Sequence, residues 1–171
     1  HVVHVRPGIF VIFDDLAAPK PATYQWLLHA YDPIKVEEQN RVLHISREPA
    51  AMKTVLLLPA DLSFSQTDRY VPEPEPTRGE SKNTWHLTAG TTQPATSGQF
   101  LAVLMPHRVG REATLPQAGL VRGRGAIGAR LSFPDGSEEL VAFRTDASAK
   151  VTECGGFESD GRVLACRRDK N

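Results

Sequence analysis

The chain has 171 residues and a formal net charge of zero, with 40% hydrophobic and 23% charged residues. That length suits one domain, spanning 1–171, with enough chain to bury a real core. Twenty basic residues balance twenty acidic ones, so no global positive field draws the protein to nucleic acid or an anionic membrane. The longest apolar runs, near Ile9–Phe13 and Val55–Leu58, have strand length and are too short to cross a bilayer.

In chain order, short apolar or alternating runs recur between Pro, Gly, Asp and Ser, the pattern of an all-β fold. The chain opens inside a β-like run, His1–Val5, which reads as part of a longer protein. Arg6-Pro7-Gly8 predicts a tight turn into Ile9–Asp14. Ala18-Pro19-Lys20-Pro21 then links to a strand over Tyr24–Tyr31, and Asp32-Pro33 ends it. Glu37–Asn40 offers one helical turn at most. Arg41–Ser46 and Lys53–Leu58 follow as strands, the first with apolar residues on both faces.

Val71–Ser81 holds three alternating prolines among charges, which forbid a hydrogen-bonded ladder and predict an extended exposed loop. Strands resume over Thr84–Ala89 and Gln99–Met105, and Arg108–Leu115 is a polar connection. Ala126–Phe133 and Glu138–Thr145 flank Pro134-Asp135-Gly136-Ser137, a hairpin with an Asp-Gly turn. Lys150–Cys154 and Arg162–Arg167 are expected to form a last pair around Asp160-Gly161. The expected architecture is an antiparallel β-sandwich of two packed sheets.

The two cysteines, Cys154 and Cys166, flank turn-rich sequence and allow either a disulfide across a hairpin or two buried thiols. Gly123-Arg124-Gly125-Ala126-Ile127-Gly128 matches G-x-G-x-x-G. It runs into a strand and a hairpin rather than a helix, so it reads as a glycine-rich start to a strand, not a dinucleotide site. The six histidines form no recognised metal-ligand pair; His1 and His4 point to opposite faces of one strand. His29 follows Trp26-Leu27-Leu28 and reads as a core or interdomain residue. Asp14-Asp15 face opposite sides at a strand end, which suits turn capping better than shared acid–base work. Motifs for a serine or cysteine nucleophile are absent. No catalytic or metal-binding residue is therefore assigned in this chain.

Sugar-binding modules stack pyranose faces on exposed aromatics and set Arg, Lys or His against acidic groups. By strand alternation Tyr24 and Trp26 share one face, while His29 and Tyr31 share the other. Trp26 reads as a core anchor. The candidate carbohydrate-binding set is Tyr31, Arg47, Trp85 and His86. Arg6, Arg41, Arg47, Arg122, Arg124 and Arg130 are candidates for a basic face.

The first thirty residues resemble the C-terminal β-sandwich region of heparinase II/III-like polysaccharide lyases. The resemblance rests on Phe10-Val11-Ile12-Phe13-Asp14, the Pro-containing link and Trp26-Leu27-Leu28-His29. Trp85-His86-Leu87, Phe100–Leu104 with Pro106, and the Asp135-Gly136 hairpin extend it more diffusely. It implies a larger, secreted or periplasmic enzyme that joins this sandwich to an α/α-toroid domain. That enzyme would cleave an acidic, uronic-acid polysaccharide such as alginate or a glycosaminoglycan by β-elimination. The catalytic Tyr and the toroid residues of the family have no counterpart here, and its sandwich His would lie upstream of His1. Zinc, a possible cofactor of the parent enzyme, would be held upstream of His1. The resemblance thus implies a noncatalytic domain that is structural, glycan-binding or both. An alternative is one portion of an assembled lyase whose catalytic residues lie on the missing portion. A third reading is an interaction module unrelated to sugar.

Overall fold

A computed structural model describes residues 1–72 and 83–170. Most of the Val71–Ser81 loop reading therefore lies outside the described residues. The described strands are β1 (Val2–Val5), β2 (Ile9–Ala22), β3 (Gln25–Ala30), β4 (Lys35–Glu37), β5 (Val42–Arg47), β6 (Ala50–Leu58), β7 (Leu62–Thr67) and β8 (Trp85–Thr91). They continue with β9 (Ala95–Arg108), β10 (Gln117–Gly123), β11 (Ala126–Ser132), β12 (Glu138–Arg144), β13 (Thr152–Cys154), β14 (Phe157–Ser159) and β15 (Val163–Arg168). Single 3-10 turns occupy Glu38–Asn40 and Glu112–Thr114, so Glu37–Asn40 does supply one turn and no more.

The fold is all-β, with antiparallel sheets packed face to face. The central sheet runs β1-β2-β9-β6-β5-β4. On one face lies β10-β11-β12-β15, and on the other β3-β8-β7. The sandwich expectation holds, and a third layer is added to it.

The sequence explains that extra layer. A strand covered on one side alternates apolar and polar residues, whereas one covered on both sides is apolar throughout. Phe100–Met105 is such a run. Leu101, Val103 and Met105 enter the core shared with Val11, Phe13, Ile127 and Phe143. Ala102 enters the other core, beside Leu43, Leu56, Leu87 and Ala89, with Leu104 packed against it. Trp26 also packs there, as the core-anchor reading expects. The alternation Leu62-x-Phe64 in β7, unread in the sequence, brings both side chains to the same core.

Three local expectations change. The proline link Ala18–Pro21 is the far end of β2, where the register with β9 breaks between Ala17 and Ala22. Prolines lack an N–H, so they fall where the ladder is interrupted. Asp14 and Asp15 consequently sit within a strand and cap no turn; Asp15 accepts a hydrogen bond from Gln99 Nε2 at 3.2 Å. Lys150–Cys154 and Arg162–Arg167 do not pair. Thr152–Cys154 instead turns back on β14 through Gly155 and Gly156, both at positive φ. Strand β15 joins the sheet edge beside β12. Cys154 and Cys166 thus lie on different sheets as free thiols.

The Asp135-Gly136 hairpin is present as expected. Gly136 has φ +85°, and Asp135 Oδ1 accepts from Ser137 N (2.9 Å) and Ser137 Oγ (2.6 Å). The G-x-G-x-x-G stretch is the β10–β11 hairpin. A Cβ on Gly123 would lie 1.8 Å from the Glu153 carbonyl oxygen, and one on Gly128 would lie 2.3 Å from that of Val141. These glycines permit close strand packing, and phosphate plays no part in explaining them.

Candidate functional site

The outer face of the three-stranded sheet carries part of the aromatic set. Alternation along β3 turns Trp26, Leu28 and Ala30 inward and leaves Gln25, Leu27 and His29 exposed. His29 is therefore a surface residue and not a core one. It stands opposite His86 in register, with ring centroids 5.9 Å apart, and Tyr70 lies 5.0 Å from His86 on another side. The Nδ1 of His86 is buried without a partner among the described residues. Tyr31 is half exposed, and the Arg47 guanidinium covers its ring at 3.7 Å, linking the central and outer sheets.

Trp85 has the parity of Leu87 and Ala89, both fully buried, so it does not share the face of His86. The structure brings Tyr31 to Arg47 and His86 to His29. It does not unite Tyr31, Arg47, Trp85 and His86 on one face, because adjacent residues on a strand diverge. A stacking platform needs an uncovered ring face, and Arg47 already occupies one face of Tyr31.

The arginines proposed as one basic face are also dispersed. Arg41 donates to the carbonyls of Leu56 (3.1 Å) and Ala60 (3.4 Å), and Arg124 pairs with Glu158 at 3.6 Å. Arg122 of that group borders a sizeable cleft.

That cleft lies beside Asp15, midway along β2, and the first residues of β9. One section, about 350 Å³, is lined by His1, Asp15, Arg144, Thr145, Ala147 and Arg162. A larger section, about 570 Å³, adds Asp61, Gln93, Ser97, Gln99 and Arg122. Asp15 and Thr145 border both sections, so the two adjoin. Each falls within the ordinary range for a small-molecule site.

The walls differ in character. Phe143 and Val163 are cross-strand partners, so Arg144 and Arg162 follow as neighbours, with Arg144 N donating to the Arg162 carbonyl at 2.9 Å. Arg144 Nη2 donates to the Asp160 carbonyl, and its Nε is buried without a partner among the described residues. Among the described residues, no carboxylate lies within salt-bridge distance of Arg122, Arg144 or Arg162. The facing wall is acidic and amide-bearing. Gln99 holds Asp15, and Thr92 Oγ1 donates to Asp61 at 2.9 Å. Nearby Asp146 has its pKa lowered, first by the Ser148 hydroxyl and then by the Ser148 N–H.

No family model and no curated protein matches the chain. The cleft is therefore read from its own chemistry. Among the described residues, no three His, Cys, Asp or Glu side chains gather as a metal-ligand cluster. The side chains at hand are guanidiniums, carboxylates, amides and hydroxyls. They can neutralise an anion and hydrogen-bond a polyhydroxylated partner.

Sequence reasoning reached Arg122 and Asp15 but gave Asp15 a different role, and it passed over Arg144 and Arg162. The latter two become neighbours only through the β12–β15 pairing. Placing Arg162–Arg167 against Lys150–Cys154 hid that relationship.

Proposed function

We propose that this chain is a noncatalytic β-sandwich domain of a heparinase II/III-like polysaccharide lyase, and that it holds an acidic polysaccharide. The stretch carrying the resemblance forms β1 to β3. The observation that supports glycan binding is the open cleft with arginines on one side that, among the described residues, have no carboxylate within salt-bridge distance, and amides and carboxylates on the other. A uronate unit presents a carboxylate and several hydroxyls, which matches both walls. In this reading the α/α-toroid domain supplies the catalytic groups, and the parent enzyme works outside the cytoplasm.

Isothermal titration of the folded chain against alginate, hyaluronan and chondroitin sulfate tests the reading. Saturable binding to at least one of them is expected. Absence of heat with all three, from a sample shown to be folded, rejects the glycan-binding role.

A further inference from the structure

We infer that the cleft discriminates by carboxylate. A uronate carboxylate sits at the Arg144–Arg162 end, and the sugar hydroxyls sit against Asp15, Gln99 and Asp61. This inference rests on the glycan-binding reading above and gives it a location and a polarity.

The argument starts from a local conflict. Like charges set directly across an antiparallel pair destabilise it, yet Arg144 and Arg162 lie side by side where β12 meets β15. A neighbouring carboxylate would relieve the conflict, and among the described residues none lies within 4.0 Å of either guanidinium. Both residues line the smaller section of the cleft, with Arg122 on the larger one. Asp146 acts on Arg144 only from beyond salt-bridge distance, so a bound anion adds the direct partner. Guanidinium groups favour planar oxyanions through parallel N–H donors, which suits a carboxylate.

Asp15 and Asp61 set the other limit. Two carboxylates on the facing wall offer acceptors that a hydroxyl-poor anion, such as the backbone of single-stranded DNA, cannot use. They accept hydrogen bonds from hydroxyls, and Gln99 both donates and accepts. The sugar unit held in the cleft therefore presents its carboxylate to the arginines and its hydroxyls to the facing wall.

Titration of alginate and of carboxyl-reduced alginate into the folded chain tests this. The comparison uses Arg162→Ala, the Arg122→Ala/Arg162→Ala pair and Arg47→Ala, at the end of β5 against the Tyr31 ring. Arg122, Arg162 and Arg47 are all exposed, so these variants spare the core. Alginate should bind, its carboxyl-reduced form should bind at least tenfold more weakly, and Arg162→Ala should weaken alginate about tenfold.

Equal binding of the two polymers overturns the carboxylate inference and leaves glycan binding intact. Loss of binding in Arg47→Ala, with the double variant unaffected, moves the site to the Tyr31–Arg47 contact and overturns the location. Equally tight binding of single-stranded DNA reveals an unselective basic surface and overturns the polarity. If no polymer binds wild type, the underlying reading falls as well.

Discussion

Phe13 of the central sheet and Phe143 of the sheet that covers it stack at 5.1 Å between ring centroids, 22° from parallel. Both are essentially inaccessible to solvent. The pair joins two layers through side chains alone, since β2 and β12 share no hydrogen bonds. Replacing Phe143 with Ala should cost about 3–5 kcal/mol through lost burial and a cavity. Tyr31→Ala, at an exposed ring held by one cation–π contact, should cost about 1 kcal/mol or less. Urea denaturation of the two variants checks the contrast; equal costs would show that the two sheets are held together elsewhere.

Gly123 and Gly119 occupy the same strand with different surroundings. A Cβ at Gly123 meets the Glu153 carbonyl at 1.8 Å, whereas one at Gly119 meets nothing within 4 Å. Gly123→Ala should push the β13–β14 hairpin off the sheet and lower the melting temperature clearly. Gly119→Ala should leave it unchanged or slightly raised, because alanine restricts the unfolded chain. A melt of Gly123→Ala that matched wild type would refute the close approach.

Asp135 should contribute to acid sensitivity. Its carboxyl is held below the usual range, first by the Ser137 hydroxyl and then by the Ser137 N–H. A lowered folded pKa gives stability that is present above the ordinary aspartate value and lost as pH falls through the folded value. Wild type should therefore exceed Asp135→Ala at pH 6, and the gap should close below about pH 4. Melting curves from pH 7 to 3 measure it; a gap that persists unchanged to pH 3 contradicts the ionic origin.

The two thiols should differ in reactivity. Burial pushes both pKa values up, and Cys154 is the more deeply enclosed at 2% exposure. Thiolate is the reacting form, so both should label slowly at pH 7. With Ellman's reagent Cys166 should react first, and Cys154 only on unfolding. Simultaneous fast labelling of both would contradict the placement of Cys154.

Much of the fold was legible, because apolar runs and turn residues are local signals. The Asp135-Gly136 hairpin and the strand nature of Phe10–Phe13 followed directly. The second covering sheet was less visible. It needed the unbroken apolar run Phe100–Met105 to be read as doubly buried, whereas the polar residues of Leu62–Thr67 concealed a strand. The site was the hardest part. Arg144 and Arg162 are eighteen positions apart, and their adjacency depends on a strand pairing that no local pattern fixes. Trp85 drew attention as a large aromatic, but parity assigns it a different face from His86.

Strand β9 feeds successive side chains to two cores on opposite sides of one sheet. Neither core can melt while that strand stays in place, and losing it dissolves both. The layers should therefore denature as a single cooperative unit. Fluorescence from Trp26 and Trp85, both in the outer sheet, and backbone ellipticity from all sheets should trace one superimposable transition.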